Sequence, residues 1–218
     1  MKRPLMIVSN RLPIVLRGQP DGSWKASTAS GGLVTALRPI LREYGGSWVG
    51  WPGGDTRSDA DGPLLESLLD DLGRDVGCRF HGVPLSLDDV EGFYYGFSNG
   101  TIWPLFHDLL GHASFSTSNW DTYRKVNARF ADVVAAKAAP EDVIWVQDYQ
   151  LLMLGAELRD RQVANPLAFF LHIPFPAPDM FSRLPWREEV LRAMLAFDHL
   201  GFQTARDLRN FTACVRHF

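Results

Sequence analysis

The chain has 218 residues, 46% of them hydrophobic and 22% charged, with a formal net charge of −3. That composition belongs to a folded domain with a sizeable core and excludes a disordered or fibrous chain. The weak negative charge offers no footing to nucleic acid or to an anionic membrane, so an anionic ligand would have to be held by a few placed groups.

In chain order, "LMIVS" (Leu5 to Ser9) is short and apolar without alternation, the pattern of a strand buried on both faces, and it breaks at Asn10-Arg11. "PIVLRGQPDGSWKAS" predicts a hairpin turning at Pro20, Asp21 and Gly22. Leu33, Leu37, Ile40, Leu41 and Tyr44 recur at helical spacing until Gly45-Gly46 stop them. "SWVGW" predicts a second strand, and Leu65, Leu68, Leu69 and Leu72 a second helix. Ser86 with Asp89 has the pattern of a capping box opening a helix through "DDVEGFYYGF". Tyr123, Val126, Phe130, Val133 and Val134 mark a long helix. "VIWVQ" then reads as a strand, Leu151, Leu154 and Leu158 as a helix, and "LAFFL" as a strand. Trp186, Val190, Met194 and Phe197 predict a helix, "HLGFQ" a strand, and Thr204 with Asp207 caps a last helix to Phe218. "ELRDRQ" and "ARDLRNF" read as solvated helix faces. Strands alternating with helices, without repeats or a linker, predict one α/β domain over residues 1–218 with a doubly wound, mostly parallel sheet.

Ligands of such sheets lie outside the carboxyl ends of the strands, so the residue after each apolar run is a candidate. Those residues are Asn10 with Arg11, then Trp51, Asp148 and His172. Arg11 keeps its charge at any working pH and offers a planar fork to phosphate or carboxylate, unless it is spent on an ion pair at the core edge. "SGGL" (Ser30 to Leu33) opens a helix with two glycines, which lets a phosphate approach free N–H groups or merely allows an unusual junction. Asp148 either accepts from sugar hydroxyls or N-caps the following helix. His172 is a donor or proton carrier in the cleft, or a structural histidine. Tyr94, Tyr95, Trp103 and His107 crowd one stretch whose polar-tipped rings suit a sugar, although such clusters more commonly fill a core.

No serine or cysteine sits in a nucleophile setting, and no metal-ligand cluster or cofactor fingerprint is visible, so no metal and no cofactor are expected. Cys78 and Cys214 form no disulfide framework, and no apolar run reaches the roughly 18 residues of a membrane helix. The apolar stretch in "MKRPLMIVSNR" is too short for a signal peptide. These features fit a cytoplasmic protein. Self-association through apolar surface on the cleft side is left open.

The runs "VSNRLP", "GGLVTAL", "WVGWPG", "YYGFSNGTIWPLFH", "WVQDYQL", "FFLHIPFP" and "LGFQT" stand in this order from Leu5 to Thr204. Together they resemble the amino-terminal half of the trehalose-6-phosphate synthases, retaining glycosyltransferases of the two-domain GT-B type. The resemblance implies a Rossmann-like domain holding the acceptor, and glucosyl transfer from a nucleotide-glucose such as UDP-glucose to glucose 6-phosphate. It implies that Arg11, Tyr95 and Trp103 hold the acceptor phosphate, that Trp51 shapes the acceptor pocket, and that Asp148 accepts from acceptor hydroxyls. It further implies that His172 contacts the transferred sugar beside the reacting centre, and that the backbone at Gly32 approaches the donor diphosphate. Where some members have His-Asp-Tyr-His, this chain has Gln147-Asp148-Tyr149-Gln150.

The carboxy-terminal nucleotide-sugar domain of that family is not found within these residues, and the chain by itself is expected to be inactive. The readings that compete with this one are a transferase using glycerol 3-phosphate or a cyclitol phosphate, a non-catalytic sugar-phosphate sensor, and a nicotinamide-dependent dehydrogenase. The last lacks its G-x-G-x-x-G signature here.

Overall fold

Strand β1 (Leu5–Arg11) lies at the centre of a six-stranded sheet that also contains β4 (Gly46–Trp51), β5 (Arg79–Gly82), β6 (Val143–Gln147), β7 (Leu167–Leu171) and β8 (His199–Phe202). The computed structural model describes residues 3–18, 24–28, 46–54 and 62–218. The strand order is β5-β4-β1-β6-β7-β8, and every pairing within the sheet is parallel. From β1 the chain winds outward through β4 and β5, returns to the other side of β1 at β6, and winds outward again. That is the doubly wound, Rossmann-like order expected from the alternation of strands and helices. The predicted hairpin is a separate antiparallel pair, β2 (Ile14–Gly18) with β3 (Trp24–Thr28). Its turn, the glycine pair at 31–32 and the helix expected over 33–44 lie outside the described residues.

The strands read as apolar runs because both faces of the sheet are covered. On one face Met6, Val8, Val49, Ile144, Val146 and Phe169 join a large core. Helix α1 (Gly62–Val76) contributes Leu69 to a smaller core with Ile7, Trp48 and Phe80. The large core is closed by α4 (Thr117–Lys137), through Tyr123, Val126, Phe130 and Val134, and by shorter helices that follow β6 and β7. Those are α5 (Leu154–Asp160), α6 (Pro178–Phe181) and α7 (Arg187–Met194). Helix α8 (Ala205–His217) completes the chain, and its N-terminus carries the expected capping box between Thr204 and Asp207.

One strand carries no sequence signal, and two expectations need correction. Strand β5 gives no apolar run, because it forms an edge of the sheet and only Phe80 is fully buried. The Ser86–Asp89 capping box is present, but the helix it opens, α2 (Leu87–Val90), lasts one turn before passing into a π-helical stretch over Glu91–Ile102 and then α3 (Trp103–Phe106). The two charged runs are not simply solvated. Arg159 donates to Val163 O, Asn165 O and the Asp198 carboxylate, tying α5 to β7 and β8. Asp207 is buried and accepts from Phe175 N–H.

Candidate functional site

The reversal of strand order places a crevice between the carboxyl ends of β1 and β6. Arg11 is the last residue of β1 and Asp148 the first after β6, so the two flank it. Trp51 ends β4, and His172 follows β7.

Strand β1 does not run evenly to that edge. Val8 pairs with Val49 but Arg11 pairs with Trp51, so three steps along β1 match two along β4. One extra residue makes a bulge, and because side chains alternate it moves everything beyond it to the opposite face. Core membership records the flip. Met6 and Val8 lie in the large core and Ile7 in the small one, yet Leu12 and Ile14 pack with Ile7.

Arg11 is thereby brought to the face of Trp51. Its guanidinium carbon stands 4.4 Å from the centre of the Trp51 ring and 6.0 Å from that of Tyr94. Such stacking contributes about 0.5–1 kcal/mol at an exposed site. It also leaves the guanidinium edges to bond an anion in the plane. Among the described residues no Asp or Glu pairs with Arg11, which removes the ion-pair alternative there.

The aromatic stretch is only partly core, which corrects the reading from its residues alone. Phe93 and Phe97 are fully buried, whereas Tyr95 is 55% and Trp103 40% exposed. The π-helical hydrogen bonds span one residue more than those of an α-helix, and such stretches recur at functional sites. Ser98 Oγ adds a bond to Phe93 O across the same interval. Tyr94 and Tyr95 end up side by side, ring edge to ring face at 5.1 Å. Trp103 stacks on His107 at 4.1 Å. Tyr94, one of the four polar-tipped residues expected to suit a sugar, is the one whose ring stands 6.0 Å from the Arg11 guanidinium.

Across the crevice, Asp148 has φ 74 and ψ 169, a backbone region nearly reserved for glycine that costs about 1–3 kcal/mol. It holds the N-cap position of the turn Tyr149–Leu151, while its Oδ1 accepts the His172 backbone N–H at 3.0 Å. Burial raises its pKa above the usual carboxylate value, against the pull of that N–H and of the His172 and His107 rings. His172 Nε2 stands 2.9 Å from Gln147 Oε1. With the amide so oriented, Nε2–H donates to Gln147 Oε1. Gln147 is 1% exposed and its Nε2 finds no partner among the described residues.

Tyr149 Oη donates to Asn99 Oδ1 at 2.8 Å, which ties the π-helical stretch to the end of β6. Burial raises the Tyr149 pKa, so its phenol stays protonated as a donor. Gln147 stands out in the sequence only as a departure from the His-Asp-Tyr-His of some members and Asn99 not at all, because their partners lie 25 and 50 residues away. Burial pushes the thiols of Cys78 up to about 12 and of Cys214 to about 11, so neither is a nucleophile at neutral pH. Among the described residues no three His, Cys, Asp or Glu side chains gather as metal ligands. No helix among them is long and apolar enough to cross a membrane. The arrangement can hold an anion at the Arg11 end and hydroxyl groups at the Asp148 end.

The family model of glycosyltransferase family 20 matches residues 3–218. The chain belongs to glycosyltransferase family 20. It is 42% identical to the trehalose-6-phosphate synthase of Mycolicibacterium smegmatis over 211 residues, which cover 97% of this chain and 40% of that protein. Among solved structures, the E. coli trehalose-6-phosphate synthase bound with UDP-2-fluoro glucose matches 98% of this chain with a TM-score of 0.80 and 33% identity, over 43% of its own length. The UDP-forming alpha,alpha-trehalose-phosphate synthase of Burkholderia xenovorans in complex with glucose-6-phosphate matches 98% of this chain, over 43% of its own, with a TM-score of 0.77 and 33% identity. This family 20 chain thus spans about 40% of the length of the curated relatives it matches. Its Rossmann-like sheet is the amino-terminal part of the GT-B architecture that the sequence resemblance implied.

Proposed function

We propose that this chain forms the acceptor-binding half, a single Rossmann-like domain, of a cytoplasmic glucosyltransferase. The enzyme would move glucose from a nucleotide-glucose, UDP-glucose in the first instance, to glucose 6-phosphate and so form trehalose 6-phosphate. The observation that carries the reading is the Arg11 guanidinium, stacked on Trp51 beside Tyr94, at the mouth of a switch-point crevice whose other wall is Asp148. A permanent planar cation facing hydroxyl acceptors across a crevice suits a sugar that bears a phosphate at one end. Buried free thiols support the cytoplasmic placement.

In this reading Arg11 grips the acceptor phosphate with Tyr95 and Trp103, whose side chains are exposed. Trp51 sets the pocket wall. Asp148 accepts from acceptor hydroxyls, and its strained backbone fixes where the carboxylate stands. His172, oriented by Gln147 and by the Asp148 carboxylate, meets the transferred sugar. Gly32, outside the described residues, would bring its backbone to the donor diphosphate. The family resemblance implies attack by the acceptor from the face the nucleotide leaves, with a departing phosphate oxygen taking the acceptor proton. The chain's own contribution is then positioning and charge placement, not covalent chemistry.

Thermal unfolding of the chain with glucose 6-phosphate, with plain glucose and with Arg11→Ala tests the acceptor site. Ligand at a hundred times its dissociation constant stabilises by about 2.7 kcal/mol, a visible shift. A shift with the phosphorylated sugar alone, absent in Arg11→Ala, is the expected result. An equal shift with plain glucose would overturn the assignment of Arg11. Glycerol 3-phosphate and cyclitol phosphates in the same titration separate this acceptor from those of related transferases.

A further inference from the structure

The geometry points to a device that sets acceptor specificity without touching the acceptor: Ser9, Trp48 and Gly50 are positioning residues that lock the β1 bulge and so aim Arg11. This rests on the reading of Arg11 as the phosphate grip. Without the bulge, residue 11 shares a face with Ile7, in the small core beneath the sheet, and its guanidinium points away from Trp51 and Tyr94. Aim therefore depends on the extra residue staying in the β1–β4 pairing.

Several observations converge on how it stays. Trp48 Nε1 donates to Ser9 Oγ at 2.7 Å, and the same hydroxyl donates to the Arg11 carbonyl at 2.7 Å. A serine hydroxyl has one proton and two lone pairs, so one side chain links the neighbouring strand to the backbone of Arg11. Trp48 is 1% and Ser9 4% exposed, so water does not compete for these bonds.

Gly50 supplies the room. A Cβ there would stand 2.7 Å from Leu12 N, 2.8 Å from Arg11 C and 2.9 Å from Ser9 O, all backbone atoms. The bulge thus occupies the volume in which any other residue at position 50 would place its side chain. Beyond it, Leu12 N–H donates to Trp51 O at 3.0 Å, so the pairing resumes in the shifted register. Asn10 Oδ1, on the residue between, is buried with no partner among the described residues, so that oxygen does not hold the bulge. Ser9 Oγ and Gly50 lie in the wall of the sheet, and their effect on the acceptor passes through Arg11.

The test is calorimetric titration of the chain with glucose 6-phosphate and with plain glucose, for the parent, Ser9→Ala, Ser9→Thr, Gly50→Ala and Arg11→Ala. Ser9→Ala is expected to weaken glucose 6-phosphate about tenfold, equivalent to about 1.4 kcal/mol, with plain glucose unchanged. Ser9→Thr, which keeps the hydroxyl, is expected to restore most of the affinity. Gly50→Ala is expected to lose the phosphate preference altogether, approaching Arg11→Ala. Should Gly50→Ala not fold, the Ser9 pair decides alone.

Full glucose 6-phosphate affinity in Ser9→Ala, beside a clear loss in Arg11→Ala, would overturn the device and leave the function standing. Equal losses for both sugars, or a Ser9→Thr as weak as Ser9→Ala, would reduce Ser9 to an ordinary structural residue and overturn it as well. Arg11→Ala without effect would remove the functional reading and the device together.

Discussion

The two walls of the crevice present opposite charges by opposite means. At the end of β1 a guanidinium stands exposed on an aromatic ring, needs no desolvation, and is aimed by an irregular strand pairing. At the end of β6 a carboxylate is taken largely out of water and held by an unfavourable backbone angle and the N–H of a neighbouring strand. A cation that is always ionised can be left at the surface, because only its direction has to be controlled. A carboxylate proposed to compete with water for sugar hydroxyls is better placed partly buried, and burial raises its pKa. The Arg11 wall should therefore be costly to ligand binding and cheap to stability when mutated, and the Asp148 wall should carry a stability penalty that mutation relieves.

The largest expected effect lies away from both walls. Asp89, with its side chain 6% exposed, accepts from Arg129 and from Ser86 N–H at the start of the aromatic stretch. Burial alone would raise its pKa, but the bonds from Arg129 and Ser86 outweigh that and lower it. Its contribution is present above the ordinary carboxylate pKa and is lost as pH falls through the lowered one. Asp89→Ala is expected to cost about 3 kcal/mol, the lower end for a buried pair because Arg129 keeps some access to water. That corresponds to a fall of roughly 6–12 °C in melting temperature for a chain of this size, read by calorimetry.

Next in size, Arg11→Ala should weaken glucose 6-phosphate about a hundredfold, equivalent to about 2.7 kcal/mol, with the melting temperature of the free chain nearly unchanged. Arg11→Lys, keeping charge but not the fork, should recover part of that affinity in the same titration. A large loss of stability in either variant would erase the contrast between the walls.

Asp148→Asn should lose about tenfold in affinity for a hydroxyl-bearing ligand while making the free chain more stable at pH 7. A pKa raised on folding means that the group favours the fold fully below its unfolded value, near 3.9, and that this advantage is lost as pH rises through the folded pKa. The Asn variant lacks that dependence. Its melting temperature should exceed that of the parent at pH 7 and the excess should vanish towards pH 4, as scanning calorimetry across the range would record. An excess that grew on acidification would contradict the assigned burial.

Smallest is Gln147→Leu, which removes the group orienting His172 and is expected to cost about 1 kcal/mol in binding of the complete donor–acceptor pair. The imidazole 15N shifts of His172 provide the check: a single Nε2–H tautomer in the parent should give way to a mixture in the variant.

Much of this was legible beforehand. The apolar runs located β1, β4, β6, β7 and β8, the Ser86 and Thr204 boxes marked helix starts, and parallel strands forced the residues after those runs onto one edge. These are local signals, set by side-chain polarity and spacing along a few neighbouring residues. Strand β5 escaped because an edge strand needs only one buried side chain, here Phe80. The stretch "DDVEGFYYGF" reads as a helix of ordinary pitch, since nothing in it reveals that its hydrogen bonds skip one residue further.

By itself, then, the sequence determined which residues stand at the crevice, because strand ends and the order of the chain fix them. Only the tertiary structure decided where those residues point. The aim of Arg11 depends on a register between strands whose paired residues are some 40 positions apart, with Ser9 bonded to Trp48 and Gly50 leaving room for the extra residue. The carboxylate of Asp148 is set by its bond to His172, 24 residues on. Strand register and cross-strand bonds are properties of pairs of segments, and no stretch of either segment read alone contains them.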